Sequence, residues 1–262
     1  MDFKFTPLLV MVAFMDKKII AFDLDDTLAP SKSPLPAEVA QALRALLART
    51  AVCVISGGQW GQFESQLLEN LGADAEVLTN LHLMPTCGTR YYRFAEETWQ
   101  PVYINDLPEG VRSNALEIIE STARELGLWE SATWGPILED RGSQITFSAL
   151  GQAAPVEAKK AWDPTGEKKT SLRDALIPLL PELEVRSGGS TSVDVTAKGI
   201  DKAYGIKRVL EANGWSAEDL LFIGDRLDPA GNDYPVKAAG YETQAVSGWE
   251  ETVEVINSLL AN

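Results

Sequence analysis

Apolar and polar positions along the chain fall into two textures. Residues 19–22 (Ile-Ile-Ala-Phe) are uniformly apolar, as expected of a parallel strand covered on both faces. Residues 36–49 carry apolar side chains at helical spacing (Val39, Leu43, Leu46, Leu47). Residues 51–55 form a second apolar run, and after Ser56-Gly57-Gly58 another helical pattern spans 59–71. This βαβα opening predicts a doubly wound sheet. A short third strand is expected at 77–79, an aromatic hairpin at 90–104, a helix at 110–126, strands at 143–147 and 192–196, and a charged helix near 170–176. That middle third reads as α+β, and the α/β rhythm resumes over 203–212, 220–224 and 236–239. The predicted architecture is a doubly wound parallel-sheet α/β core (1–99 and 197–262) interrupted by an inserted α+β domain (100–196).

Composition narrows the function. The chain has 262 residues, 45% hydrophobic and 23% charged, enough to bury a full core in one large domain or two smaller ones. Its net charge of -15 argues against a general nucleic-acid or anionic-membrane surface, which needs a basic field. A phosphorylated ligand would have to be met by a local cluster of metal and cations. Cys53, inside an apolar run, and Cys87 lack metal-ligand spacing and read as buried thiols, fitting a reducing cytoplasm. Residues 8–14 are apolar but too few to span a bilayer, with neither a basic leader nor a cleavage site. With Met15 as the true start, residues 1–14 are expected to be an upstream extension or a loosely attached arm. An extra edge strand is the alternative.

Candidate chemistry sits where the apolar runs end. Asp23 and Asp25 follow the first strand, and ligands of open α/β sheets gather at the carboxyl ends of such strands. Two carboxylates that close repel each other unless a cation lies between them or one keeps a proton, and a hard divalent ion such as Mg²⁺ answers this. Taken alone, the segment would equally suit turn and capping duty. Ser56-Gly57-Gly58 offers a hydroxyl and close backbone N–H groups to a phosphoryl oxygen. Lys202, at the entrance to a helix, can neutralise an anion above the sheet, with Asp201 capping that helix or holding the lysine. Asp225 ends another buried strand, and the turn Gly231-Asn232-Asp233 follows. Each segment has a bland reading as a turn or a solvated surface, but together they make coincidence a poor account.

The order Asp23-x-Asp25-x-Thr27, Ser56-Gly57-Gly58, Asp201-Lys202, Gly224-Asp225 and Gly231-Asn232-Asp233 resembles the haloacid dehalogenase superfamily of aspartate-based phosphotransferases. Within it, the chain is most similar to phosphomannomutases of the eukaryotic type, relatives of the Cof-type sugar phosphatases. Glu139-Asp140-Arg141-Gly142, Arg186-Ser187-Gly188-Gly189 and Ser192-Val193-Asp194-Val195 extend the similarity. The resemblance implies that Asp23 is the nucleophile that becomes an aspartyl phosphate and that Asp25 is the general acid/base. Ser56, Gly57 and Lys202 would cradle the transferring phosphoryl group. Mg²⁺ would be held by the Asp23 carboxylate, the Asp25 backbone carbonyl and the Asp225 carboxylate, with Asn232 and Asp233 supporting that loop. The inserted domain would be a cap that closes on the sugar and leaves room for a homodimer through it.

The same resemblance exposes departures. Arg141, Ser192 and Asp194 match substrate-site positions, but Lys32 and Lys159 stand where two arginines are usual, Gln152 replaces a third, and Asp26 replaces a glycine. Losing one charged hydrogen bond costs roughly 1.5–3 kcal/mol. The weakened distal-phosphate site therefore points first to a Mg²⁺-dependent sugar-phosphate phosphohydrolase. Phosphomannomutase or phosphoglucomutase is the alternative, and a catalytically silent sugar-phosphate binding protein comes third. The expected partner is a phosphorylated hexose, with no nucleic acid and no membrane, in the cytoplasm.

Overall fold

The computed structural model describes residues 17–189 and 191–261, so the expectations for residues 1–14 lie outside the described residues. The chain divides into two compact units, one formed by the described residues up to Ile104 together with those from Asp201 on, the other by Asn105–Ile200. In chain order the strands are β1 (Ile19–Asp23), β2 (Ala51–Ile55), β3 (Leu81–Met84), β4 (Arg90–Ala95), β5 (Thr98–Ile104), β6 (Leu138–Asp140), β7 (Gln144–Ser148), β8 (Leu183–Ser187), β9 (Ser192–Ala197), β10 (Leu220–Gly224) and β11 (Thr243–Ala245).

The first unit holds one sheet in the order β11-β10-β1-β2-β3-β4-β5, parallel from β11 to β3 and antiparallel at β4 and β5. Every residue of β1 is buried because both of its faces are covered. Ile20 and Phe22 pack with Val39, Leu43 and Leu47 of the helix Ala37–Leu47 and with Ile256 of the helix Trp249–Leu260. Ile19 and Ala21 face the opposite way, toward Ile206 and Val209 of the helix Lys202–Asn213. The doubly wound α/β core expected from the apolar runs is thus present. Strand order reverses beside β1, which places a ligand crevice at the carboxyl ends of β1 and β10.

Two elements differ from their sequence reading. The third strand is not at 77–79: Ala75–Leu78 is a helical turn, and the strand follows at Leu81–Met84. Val77 and Leu78 are only half-buried, whereas all of β3 is buried, including His82, whose polarity hid the strand from an apolar-run criterion. The helix expected at 59–71 is helical at Trp60–Gln62 and Glu69–Leu71 but π-helical across Phe63–Leu68. No helix of the described residues is long and apolar enough to cross a membrane.

His82 makes the fold acid-sensitive. Its Nδ1 lies 2.6 Å from the Tyr91 hydroxyl, which also accepts from Asn213 Nδ2 at 3.2 Å. Burial, with the Arg93 charge nearby, pushes the His82 pKa down to about 3. The unfolded chain binds a proton near the ordinary value while the folded chain refuses it. Stability should be full above that value and fall by about 1.4 kcal/mol per pH unit as pH drops toward the depressed one. Urea unfolding of the wild type and of His82→Gln between pH 7 and pH 5 checks this, and parallel pH profiles for the two would contradict it.

The second unit has an antiparallel sheet in the order β6-β7-β9-β8. Ile145, Phe147, Val193 and Val195 point to one face and pack against Ile119 and Ala123 of the helix Glu109–Glu125 and Leu172 and Leu176 of Glu167–Leu176. Strand alternation sends Gln144, Thr146, Ser192 and Asp194 to the other face.

Candidate active site

Two strand ends and two helix starts bring Asp23, Asp225, Lys202 and Asp233 together. Asp23 is the last residue of β1, Asp225 directly follows β10, and Lys202 opens its helix behind the cap residue Asp201, whose Oδ1 accepts from Tyr204 N at 2.9 Å. Lys202 Nζ lies 2.7 Å from Asp23 Oδ1 and 2.5 Å from Asp233 Oδ1, with these side chains at most 4% exposed. Asp233 Oδ2 accepts from Arg226 N at 3.0 Å, and Asp23 Oδ1 also accepts from Leu24 N at 2.7 Å. A Cβ added to Gly224 would stand 2.5 Å from Asp233 Oδ2, so a side-chain-free residue before Asp225 is what lets Asp233 lie against the strand. Thr27 fixes Asp225 twice: its hydroxyl donates to Oδ1 and accepts from the Asp225 N–H, each at 3.1 Å.

The electrostatics follow from burial. Desolvation raises Asp23 to about 7, and Asp233 adds to the rise although Lys202 opposes it. Burial and Asp233 also raise Asp225. Burial works against the Lys202 ammonium, but the Asp23 and Asp233 carboxylates outweigh it and hold its pKa above the ordinary lysine value. One lysine thus faces more carboxylate than it can neutralise. Oxygens of Asp23, Asp225 and Asp233 all lie within 4.8 Å of one another. A donor set of hard oxygens carrying surplus negative charge fits a divalent cation of the Mg²⁺ type.

Asp25 carries a separate set of partners. Its carboxylate accepts from Lys32 N and Nζ at 2.9 and 2.6 Å, from Gln62 Nε2 at 3.0 Å and from Gln66 Nε2 at 3.1 Å. Burial would raise its pKa, but the Lys32 ammonium and these hydrogen bonds prevail and hold it below the ordinary carboxylate range. Lys32, expected at the substrate, is therefore paired with Asp25. Asp26, found where the resemblance leads one to expect glycine, has φ 60°, and its Oδ1 accepts from Ser31 N at 3.0 Å. A short polar side chain that bonds locally is what tolerates that left-handed conformation.

Ser56 is buried just past β2, its Oγ accepting from Gly58 N at 3.1 Å. The turn Pro85–Gly88 braces this loop, since Thr86 N and Cys87 N each donate at 2.9 Å, to Gly58 O and Ser56 O respectively. Asn232 is exposed on the turn before Asp233.

The remaining expected residues lie in the second unit. Arg141 Nε and Nη2 donate to Glu139 Oε2 at 3.1 and 2.5 Å. Asp194 Oδ1 accepts from Thr146 Oγ1 at 2.7 Å and Gln144 Nε2 at 3.0 Å. A Cβ on Gly188 would stand 2.7 Å from both Asp194 Oδ2 and Ser192 Oγ, so these two converge on a backbone gap. Gln152 Nε2 donates to Ser148 Oγ at 2.6 Å, and Lys159 Nζ to the Gln152 carbonyl at 2.8 Å. Sequence reasoning gave no role to Thr27, Gln62 or Gln66. Thr27 stood inside the quoted acidic motif, but nothing separated the two glutamines from ordinary polar helix positions.

Comparison with known proteins supplies a family. A family model described as eukaryotic phosphomannomutase matches residues 39–262, beginning after Asp23 and Asp25. The chain is 28% identical over 251 residues to a Saccharomyces cerevisiae phosphomannomutase, covering 92% of this chain and 93% of that one. To phosphomannomutase 1 of Mus musculus it is 25% identical over 230 residues, covering 85% and 84%. Among solved structures, a haloacid dehalogenase-like hydrolase from Bacteroides thetaiotaomicron superposes with TM-score 0.62 at 19% identity, covering 92% of this chain and 98% of that one. An IMP-bound Plasmodium falciparum IMP-nucleotidase superposes with TM-score 0.69 at 15% identity, covering 97% and 72%. At such identities these two structures share the fold alone.

Proposed function

The chain belongs to the eukaryotic phosphomannomutase family, and on that premise we propose that it transfers a phosphoryl group on a phosphorylated hexose through an aspartyl phosphate at Asp23. The observation that carries this reading is the buried contact of Asp23 with Lys202 at the crevice edge, beside Asp225 and Asp233. In the first half-reaction an Asp23 oxygen attacks phosphorus, the bond from phosphorus to the sugar oxygen breaks, and that oxygen takes a proton from Asp25, which must first exchange its pairing with Lys32 for that proton. In the second, Asp25 takes the proton of an incoming hydroxyl as its oxygen attacks phosphorus, and the bond to Asp23 breaks. Lys202, the Ser56 hydroxyl and the Gly57 backbone would balance charge on the phosphoryl oxygens.

Mg²⁺ is the cofactor in this reading, with Asp23 and Asp225 offering carboxylates, Asp25 its backbone carbonyl, and Asp233 and Asn232 supporting that loop. When bound, it would separate the carboxylates electrostatically and draw charge from the phosphoryl group. Chelation should abolish activity reversibly, and Asp225→Ala should raise the Mg²⁺ requirement or end turnover. Full activity in excess chelator would remove the metal from the proposal. The smaller unit would be the cap, with Arg141, Ser192, Asp194, Lys159 and Gln152 as its substrate side chains, and the setting would be cytoplasmic.

The incoming hydroxyl decides the outcome. If it belongs to the sugar, the enzyme is a mutase, and if to water, a phosphohydrolase. The relatives' names favour the mutase over the hydrolysis that Gln152 had suggested first. With mannose 1-phosphate and a trace of hexose bisphosphate, mannose 6-phosphate should form faster than free phosphate. Phosphate release as the dominant product would return the reading to a phosphohydrolase.

A further inference from the structure

The orientation of Asp25 is set by a closed circuit of hydrogen bonds that runs through two glutamines. Gln62 Nε2 donates to Asp25 Oδ2 at 3.0 Å and to Gln66 Oε1 at 2.9 Å, while Gln62 Oε1 accepts from Lys32 Nζ at 2.7 Å. Gln66 Nε2 completes the ring on Asp25 Oδ1 at 3.1 Å. An ionised carboxylate only accepts, so turning either amide over would set oxygen against oxygen, and both orientations are fixed. Gln66 is 3% exposed, which leaves water little access to replace it.

The backbone is shaped around this ring. Gln66 lies in the π-helical stretch Phe63–Leu68 and Gln62 immediately precedes it, and such wide turns recur at functional sites. The Gln66 carbonyl accepts from Leu35 N at 2.8 Å, tying the loop that carries Lys32 to the same turn. The Gln62 amide rests on Gly58, where an added Cβ would run into it.

We propose that Gln62 and Gln66 are positioning residues that aim the Asp25 carboxylate for proton transfer, an inference that rests on the general acid/base reading of Asp25 above. They act through Asp25 rather than on the phosphoryl group. The test exploits leaving groups. A sugar alkoxide needs a proton as it departs, whereas p-nitrophenolate leaves with little help. A misaimed Asp25 therefore penalises the sugar ester more than the aryl ester.

Turnover of mannose 6-phosphate and of p-nitrophenyl phosphate is measured for wild type, Asp25→Ala, Gln62→Met and Gln66→Leu, with circular dichroism on each. The sugar-to-aryl ratio of kcat/KM, which reports only the half-reaction in which the ester oxygen leaves, should fall about ten- to a hundredfold in each glutamine variant, and further in Asp25→Ala. Equal losses on both esters in the glutamine variants, with the ratio still collapsing in Asp25→Ala, would overturn the inference and leave the glutamines structural. An unchanged ratio in Asp25→Ala would instead overturn the acid/base reading, and the positioning role with it. Should the buried Gln66→Leu fail to fold, the half-buried Gln62→Met carries the same comparison.

Discussion

Asp23→Asn should end phosphoryl transfer while leaving the fold standing. An amide has no lone pair of carboxylate strength to form the acyl phosphate, so turnover should fall on the order of 10⁴- to 10⁶-fold, the range seen when an essential nucleophilic unit is broken. The fold should survive because burial already presses Asp23 toward its neutral form, with a pKa raised to about 7. An asparagine oxygen at the same place can still accept from Lys202, and Asp233, 2.5 Å away, keeps the ammonium paired. Acid-quenched protein incubated with labelled hexose bisphosphate should carry phosphate in the wild type and none in the variant. A folded Asp23→Asn protein with near-normal turnover would rule out the covalent route.

How far this site was legible depends on what each residue answers to. Asp23, Lys202 and Asp225 were readable because an element boundary exposes each: two end or follow uniformly apolar strands, and one opens a helix behind a capping aspartate. The core strands β1, β2 and β10 were readable for the same reason, being buried on both faces. β3 was not, since its register places His82 inside, where a hydrogen bond to Tyr91 satisfies a ring that looks polar in sequence. The partners of Asp25 were illegible for a different reason. Lys32 reaches Asp25 across a local turn, and Gln66 reaches it from a π-helical stretch that no periodicity of apolar residues announces. Asp194 was named from the resemblance alone, and its bonds to Thr146 and Gln144 cross from β7 and needed the pairing of strands far apart in sequence.

Lys202→Met should damage both chemistry and stability, and its pH dependence separates the two. Asp23 Oδ1 is held by the Lys202 ammonium and the Leu24 N–H, and the lysine side chain is buried to 1% exposure. Removing the ammonium strands two buried carboxylates, and breaking a buried pair in this way typically costs about 3–5 kcal/mol. Turnover should fall on the order of 10³-fold, as when a cation facing a transferring phosphoryl group is lost. Asp23 is already raised to about 7 with Lys202 opposing the rise, so without the lysine, burial and the neighbouring Asp233 carboxylate push it further above its unfolded value. A carboxyl with a raised folded pKa stabilises the fold when protonated, so that stability is present at low pH and lost as pH rises through the folded value. In chelator, urea unfolding should therefore show the variant closest to wild type near pH 5 and weakest near pH 8. A deficit that stays constant across that range would mean that lost packing, rather than lost charge, is what the substitution removes.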